Sequence, residues 1–154
     1  MARPESISGL FDKEIFLKLL RHFPSVMVHR VLYQQDCDID KSFVGFIETY
    51  KRLAKLIPKT WIVVDLGCAY APQCAYFRKH KAYIGVDWGD HFRFFTPNTH
   101  HVQQSIEDWI AQNAQSMPRT TFAIANYSLK DSSIVRHAFE HCYTFFPERD
   151  ATWP

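Results

Sequence analysis

The spacing of apolar residues divides the chain into two parts. In residues 8–22 they recur at helical spacing, and in the stretch from Lys41 to Leu56 they do so again, with a proline after each stretch. Residues 25–34 (SVMVHRVLYQ) fit either a helix or a strand. Residues 1–57 are therefore predicted to form a helical N-terminal segment that packs on the rest of the chain.

From residue 58 onward the pattern changes to short β-branched runs that alternate with helical stretches. Strands are predicted at 61–65, 82–87, 101–104 and 121–126, and helices at 72–80, from Ser105 to about Ala114, and from Asp131 or Ser132 to about Phe145. This alternation is typical of an α/β domain with three layers, an open and mostly parallel sheet between helices on both faces. Residues 58–154 are predicted to form this core, in a short version with about four strands.

The ends of the predicted strands carry the residues of chemical interest. Small residues fill the loop from Asp65 to Pro72, and such a loop lets a ligand approach backbone N–H groups, although ordinary tight turns use the same residues. Asp87 ends the next strand, where a carboxylate can accept two hydrogen bonds from the vicinal hydroxyls of a ribose. The alternative for Asp87 is a surface turn formed with Trp88 and Gly89.

Two further segments follow the third and fourth predicted strands, VQQSIEDW at 102–109 and FAIANYSL at 122–129. In order and spacing the four segments resemble the motifs of class I S-adenosylmethionine-dependent methyltransferases. VVDLGCAYA is similar to their first motif, YIGVDWG to the second, VQQSIEDW to the third and FAIANYSL to the fourth. The resemblance covers about residues 58–145 and implies a Rossmann-like fold that binds S-adenosyl-L-methionine.

The resemblance also implies a role for each matching residue. The methionine end of the cofactor would contact Asp65, Gly67, Cys68 and Ala69, and Asp87 would hold the ribose. The adenine would be bordered by Trp88, Ser105 and Ile106. The methyl group and the substrate would be faced by Asn126 and Tyr127. His91 and Arg93, in the loop after Asp87, are further candidates for substrate contact. The acceptor stays open among a small molecule, a protein and RNA.

Several residues depart from the family pattern. Alanine stands at 69 and 71, where the family prefers glycine, and Ser105 stands where it often has an acid. The predicted sheet also lacks three strands that the family usually has. A second copy of the chain or the N-terminal segment would cover the exposed edge. The alternative function is therefore a non-catalytic S-adenosylmethionine-binding or protein-interaction module derived from a methyltransferase.

Other classes of protein are less well supported. The GxGxxG spacing of nicotinamide enzymes is absent, because Ala69 and Pro72 follow Gly67. The HxxEH pattern at 137–141 resembles a zinc site, but it lacks a third ligand well downstream, so no metal is expected. A net charge of +2 does not favour nucleic acid. Without a signal peptide or an apolar run that spans a membrane, a cytoplasmic protein is expected.

Overall fold

The computed structural model describes residues 39–69, 71–90, 93–126 and 128–146. The helix predicted at 8–22, the segment 25–34 and the substrate residues proposed at His91 and Tyr127 lie outside this part of the chain. Among the helices in the described ranges, none has the length and apolar character that crossing a membrane would need.

Within these ranges five strands form one sheet, and every pair of neighbours in it is parallel. The strands are β1 (Ile62–Leu66), β2 (Ala82–Asp87), β3 (Thr99–Gln103), β4 (Thr121–Asn126) and β5 (Cys142–Phe145). Their order in the sheet is β3-β2-β1-β4-β5. The chain winds outward from β1 in one direction and then returns to continue on the other side, which is the doubly wound order of Rossmann-like folds. The predicted α/β fold class is confirmed.

The helices cover both faces of this sheet. They are α1 (Ile39–Leu56), a 3₁₀ helix (Pro72–Phe77), α2 (Ile106–Asn113), a 3₁₀ turn (Ala114–Ser116) and α3 (Ser133–Ala138). Val63 belongs to the apolar cluster under α1 and the 3₁₀ helix, whereas its neighbour Val64 belongs to the cluster under α2 and α3. Because side chains alternate along a strand, the largely apolar sequence of β1 supplies both clusters.

The prediction of a last helix that continues to about Phe145 was wrong. The helix α3 ends at Ala138, Phe139 is extended, and Cys142–Phe145 forms the fifth strand. Its residues pair with β4, and the amide of Ala123 donates to the carbonyl of His141 at 3.0 Å. The aromatic and β-branched residues of this segment favour a strand once a partner strand is present.

The helix α2 begins as predicted. The hydroxyl oxygen of Ser105 accepts a hydrogen bond from the amide of Asp108 at 3.1 Å, so Ser105 caps the helix. Glu107 and Asp108 lie in the first turn, where the helix dipole favours acids. The cap places the start of α2 directly after the carboxyl end of β3.

Candidate functional site

The order of strands places a crevice at the carboxyl edge of the sheet. The chain leaves β1 toward β2 on one side, and β4 lies on the other side, so the order of strands reverses between β1 and β4. Ligands of open α/β sheets bind in this position. The loops after β1 and β2, the start of α2 and the segment after β4 all meet there.

Gly67 shows how closely these segments approach one another. A Cβ atom added to Gly67 would lie 2.3 Å from the Cβ of Ser128 and 3.6 Å from the Cδ1 of Ile106. Three of the four segments with family-like motifs are therefore in contact at this glycine. Ile106, predicted to border the adenine, points toward this loop.

The loop after β1 has the backbone of a glycine-rich loop although two of its residues are alanines. Gly67, Ala69 and Ala71 have φ values of 83°, 51° and 58°, all in the left-handed region. The amides of Gly67 and Cys68 both donate to the carbonyl of Val86, at 2.7 and 3.2 Å, which ties the loop to β2. Ala69 and Ala71 therefore adopt the left-handed backbone conformation of a glycine-rich loop, and their Cβ atoms are strained in it.

We expect Ala69→Gly to raise the free energy of unfolding by about 0.5 to 1 kcal/mol. Glycine adopts φ of 51° without the Cβ clash of alanine, and the gain exceeds the extra entropy that glycine has in the unfolded chain. Ala71→Gly is the matched control. Ala71 is fully buried, so removal of its methyl group offsets the relief of strain, and we expect little net change. Urea unfolding of both variants measures the difference, and a loss of stability in Ala69→Gly would contradict it.

Asp87 joins the loop after β1 to the turn after β2. Its Oδ1 accepts from the amide of Ala69 at 3.3 Å, and its Oδ2 accepts from the amide of Gly89 at 3.0 Å. The carboxylate is half-buried at the end of β2. Since an ionised carboxylate has about four lone-pair positions, the same oxygens can accept bonds from further donors.

A groove of about 500 Å³ lies beside Asp87. Its lining comes from the ends of β2 and β3 and from the first turn of α2: Trp88, Gly89, Asp90, Gln103, Gln104, Ser105 and Asp108. Trp88 is 78% exposed, so one face of its ring is accessible to a flat ligand. Among the described residues the lining carries carboxylates at Asp90 and Asp108 and no basic side chain, which favours a neutral or cationic ligand over a phosphate.

Two of the residues predicted to border the adenine, Trp88 and Ser105, line this groove. Gln104 and Asp108 also line it, and neither was predicted from the sequence to belong to the site. Both belong to the segment VQQSIEDW. Asp108 is the third residue of α2, which is close enough to the cap at Ser105 for its side chain to reach the groove.

Asp65 lies in a different environment from Asp87. Its carboxyl group is fully buried and accepts hydrogen bonds from Tyr50 Oη at 3.2 Å, from Gln73 Nε2 at 2.8 Å and from the Tyr83 hydroxyl. Burial raises the pKa of Asp65 from 3.8 to about 6, although the three hydrogen bonds act in the opposite direction. These bonds connect α1 and the 3₁₀ helix to the sheet beneath the loop.

Cys68 is also buried, with its Sγ 3.6 Å from the carbonyl of Ala69. Burial, with the nearby Asp65 as the next cause, raises the pKa of the Cys68 thiol well above its usual value. The thiol is therefore protonated at neutral pH and is a poor nucleophile.

Asn126 ends β4 with an unsatisfied amide. The residue is 4% exposed, and neither its Nδ2 nor its Oδ1 has a hydrogen-bond partner in the part of the chain that the structure describes. Burial and the nearby Asp65 raise the pKa of Tyr50 well above its usual value, and the Asn126 amide, which lies near the Tyr50 hydroxyl, acts more weakly in the opposite direction. A buried amide without a partner is destabilising by about 1–3 kcal/mol, so such groups mark places where a ligand or water completes the bonding.

Arg93 was predicted to contact the substrate, but its guanidinium is buried and bonds four backbone carbonyl oxygens, at Gly85, Asp87, Gly89 and Val102. These contacts give the side chain a structural role. The histidines of the HxxEH pattern are also separated, since α3 ends between them, at Ala138. No group of three potential metal ligands occurs among the described residues.

Comparison with known proteins gave no match to a family model, to a curated protein or to a solved structure. The class of this protein is therefore assigned from its fold and its crevice alone. The chain is a Rossmann-like α/β protein with an acidic groove at the carboxyl ends of β2 and β3.

Proposed function

We propose that this protein binds S-adenosyl-L-methionine at the carboxyl edge of the sheet and transfers its methyl group to an acceptor. The observation that carries the proposal is the position of Asp87. It ends the strand next to β1, bonds the amide of Ala69 in the loop after β1, and adjoins the groove at Trp88. A carboxylate in this position is suited to the two hydroxyls of a ribose.

The residues present fit the cofactor at two further points. The groove offers an exposed indole ring and polar side chains for a purine, and among the described residues its lining carries no basic side chain of the kind that would favour a phosphorylated ligand. The amide of Asn126, whose polar atoms have no partner among the described residues, lies at the end of β4, on the other side of β1. It offers both a donor and an acceptor to an incoming group.

The cofactor supplies a methyl group already activated by the positive sulfur, so the protein needs mainly to bind and align the reactants. In this chain Asp87 would orient the ribose and Asn126 would orient the acceptor. The buried, protonated thiol of Cys68 is not suited to forming a covalent intermediate. Asn126 and the three residues of β4 before it are all buried.

Isothermal titration with S-adenosylmethionine and with its demethylated product tests the proposal. We expect both to bind, and we expect Asp87→Ala to weaken binding at least about tenfold because hydrogen bonds to a charged acceptor are lost. Glu140→Ala is the matched control, since Glu140 is an exposed acid bonded to Arg119 near β5. The absence of binding by the unchanged protein would refute the proposal, and equal affinity in Asp87→Ala would refute the assignment of the ribose.

The second candidate is a non-catalytic module that binds the cofactor or a protein. Asp65 favours it, because a carboxyl group bonded to three side chains of the core is not directed at a ligand. Transfer of a labelled methyl group to fractions of a cell lysate separates the two candidates. Label that disappears with Asn126→Ala supports the transferase, and binding without any transfer supports the module.

A further inference from the structure

We infer that Arg93 is the positioning residue for the nucleoside end of the site, where it holds Asp87 and the turn bearing Trp88 in the geometry that binds the ligand. This inference rests on the proposed function. Arg93 is buried, and it would affect the ligand through its bonds to the backbone of Asp87 and Gly89.

The contacts of Arg93 span three parts of the structure. Its Nη1 donates to the carbonyls of Gly85 at 3.3 Å and Val102 at 2.9 Å, and its Nη2 donates to those of Asp87 at 2.9 Å and Gly89 at 3.1 Å. These acceptors belong to β2, to the turn after β2 and to β3. Only 7% of the residue is exposed, so most of the side chain is shielded from water.

Two of the four bonds act on the backbone that carries and contacts the Asp87 carboxylate. Arg93 holds the carbonyl of Gly89, while the amide of the same residue donates to Asp87 Oδ2 at 3.0 Å. The carbonyl of Asp87 accepts from Arg93 and also from the amide of Gln104, at 2.9 Å in each case. The carboxylate, the turn and the start of the groove are thus fixed relative to one another through one guanidinium.

An arginine is required for this arrangement. Its planar group presents several N–H donors at fixed angles, so each terminal nitrogen can bond two carbonyls. A lysine ammonium is a single point with three donors and cannot serve two separated pairs of acceptors. Arg93→Lys therefore keeps the charge but loosens the turn.

The test compares Arg93→Lys with the matched control Arg119→Lys, since Arg119 is an arginine whose side chain is 89% exposed. Titration with S-adenosylmethionine is carried out at a temperature at which circular dichroism shows both variants fully folded. We expect Arg93→Lys to raise the Kd at least about tenfold with an unchanged number of sites, and we expect Arg119→Lys to match the unchanged protein. A fall in the number of sites at constant Kd would show a defect of folding alone and would overturn the inference.

A double-mutant cycle with Asp87→Asn tests whether Arg93 acts through Asp87. If it does, Arg93→Lys changes the Kd by a smaller factor once Asp87 is Asn, because the two changes affect one interaction. If the two effects multiply in full, Arg93 does not act through Asp87, and the inference that it positions this carboxylate is wrong.

The experiment separates this inference from the proposed function. Absence of binding by the unchanged protein refutes both. Binding by the unchanged protein together with equal binding by Arg93→Lys refutes only the role of Arg93.

Discussion

Gly67→Ala is expected to lower the free energy of unfolding by about 3 kcal/mol. The added methyl group is destabilising through backbone strain and through steric overlap. At φ of 83° a residue with a Cβ is strained by about 1–2 kcal/mol, and the new Cβ would lie 2.3 Å from the Cβ of Ser128. Relief of such an overlap requires the backbone after β4 to shift, which typically adds about 1–3 kcal/mol.

Gly85→Ala is a useful comparison, because Gly85 lacks the left-handed φ but is also crowded. Its added Cβ would lie 2.7 Å from His101 Nδ1 and 2.9 Å from Cys68 Sγ, both of them side-chain atoms that can move. We expect a smaller loss than at Gly67. Urea unfolding curves of the two variants give both values.

The double variant Gly67→Ala/Ser128→Gly separates strain from overlap. Removal of the Ser128 side chain takes away the closest atom, so the loss that Gly67→Ala causes in the Ser128→Gly background should fall to the part due to φ alone, about 1–2 kcal/mol. An equal loss in both backgrounds would show that the loop after β4 does not pack on Gly67 as the structure has it.

The sequence was most informative about the sheet. The runs at β1, β2 and β4 are apolar and β-branched and are bounded by turn residues, so local pattern and burial favour the same structure. It was least informative about β5, where helical spacing continues past α3 and only pairing with β4 determines a strand. Such pairing is a tertiary effect that a single sequence does not display.

Within the site, Asp65 in β1 and Asp87 in β2 also show that tertiary contacts cannot be predicted from a single sequence. The position of Asp87 follows from the pattern of strands and turns. The burial of Asp65 depends on Tyr50, Gln73 and Tyr83, which come from three different elements. No local pattern indicates that these side chains converge on Asp65, and none indicates the four carbonyls around Arg93.

The second large effect expected is a dependence of stability on pH that comes from Asp65. Its pKa in the folded protein is about 6, above the ordinary value of 3.8. The folded state therefore binds a proton more tightly than the unfolded state does. The stabilisation from this proton is fully present below pH 3.8 and is lost as the pH rises through about 6. Since a difference of one in pKa corresponds to about 1.4 kcal/mol, the loss is about 3 kcal/mol.

Asp65→Asn isolates this effect from all other titrating groups. We expect the stability of the unchanged protein, measured relative to that of the variant, to decrease by about 2 kcal/mol between about pH 4 and about pH 7, with the remainder of the loss below pH 4. Urea unfolding at a series of pH values measures this difference, in which contributions common to both proteins cancel. Parallel curves for the two proteins would contradict the raised pKa.

Tyr50→Phe provides a second variant that keeps the carboxyl group. The Tyr50 hydroxyl bonds Oδ1 of Asp65 and lowers its pKa, so its removal should raise the pKa further and move the loss of stability to higher pH. Since Tyr50 belongs to α1 and Asp65 lies near the end of β1, a shift in this variant would show that α1 helps to set the charge beneath the proposed cofactor loop. An unchanged midpoint would show that the Tyr50 hydroxyl does not contribute to it.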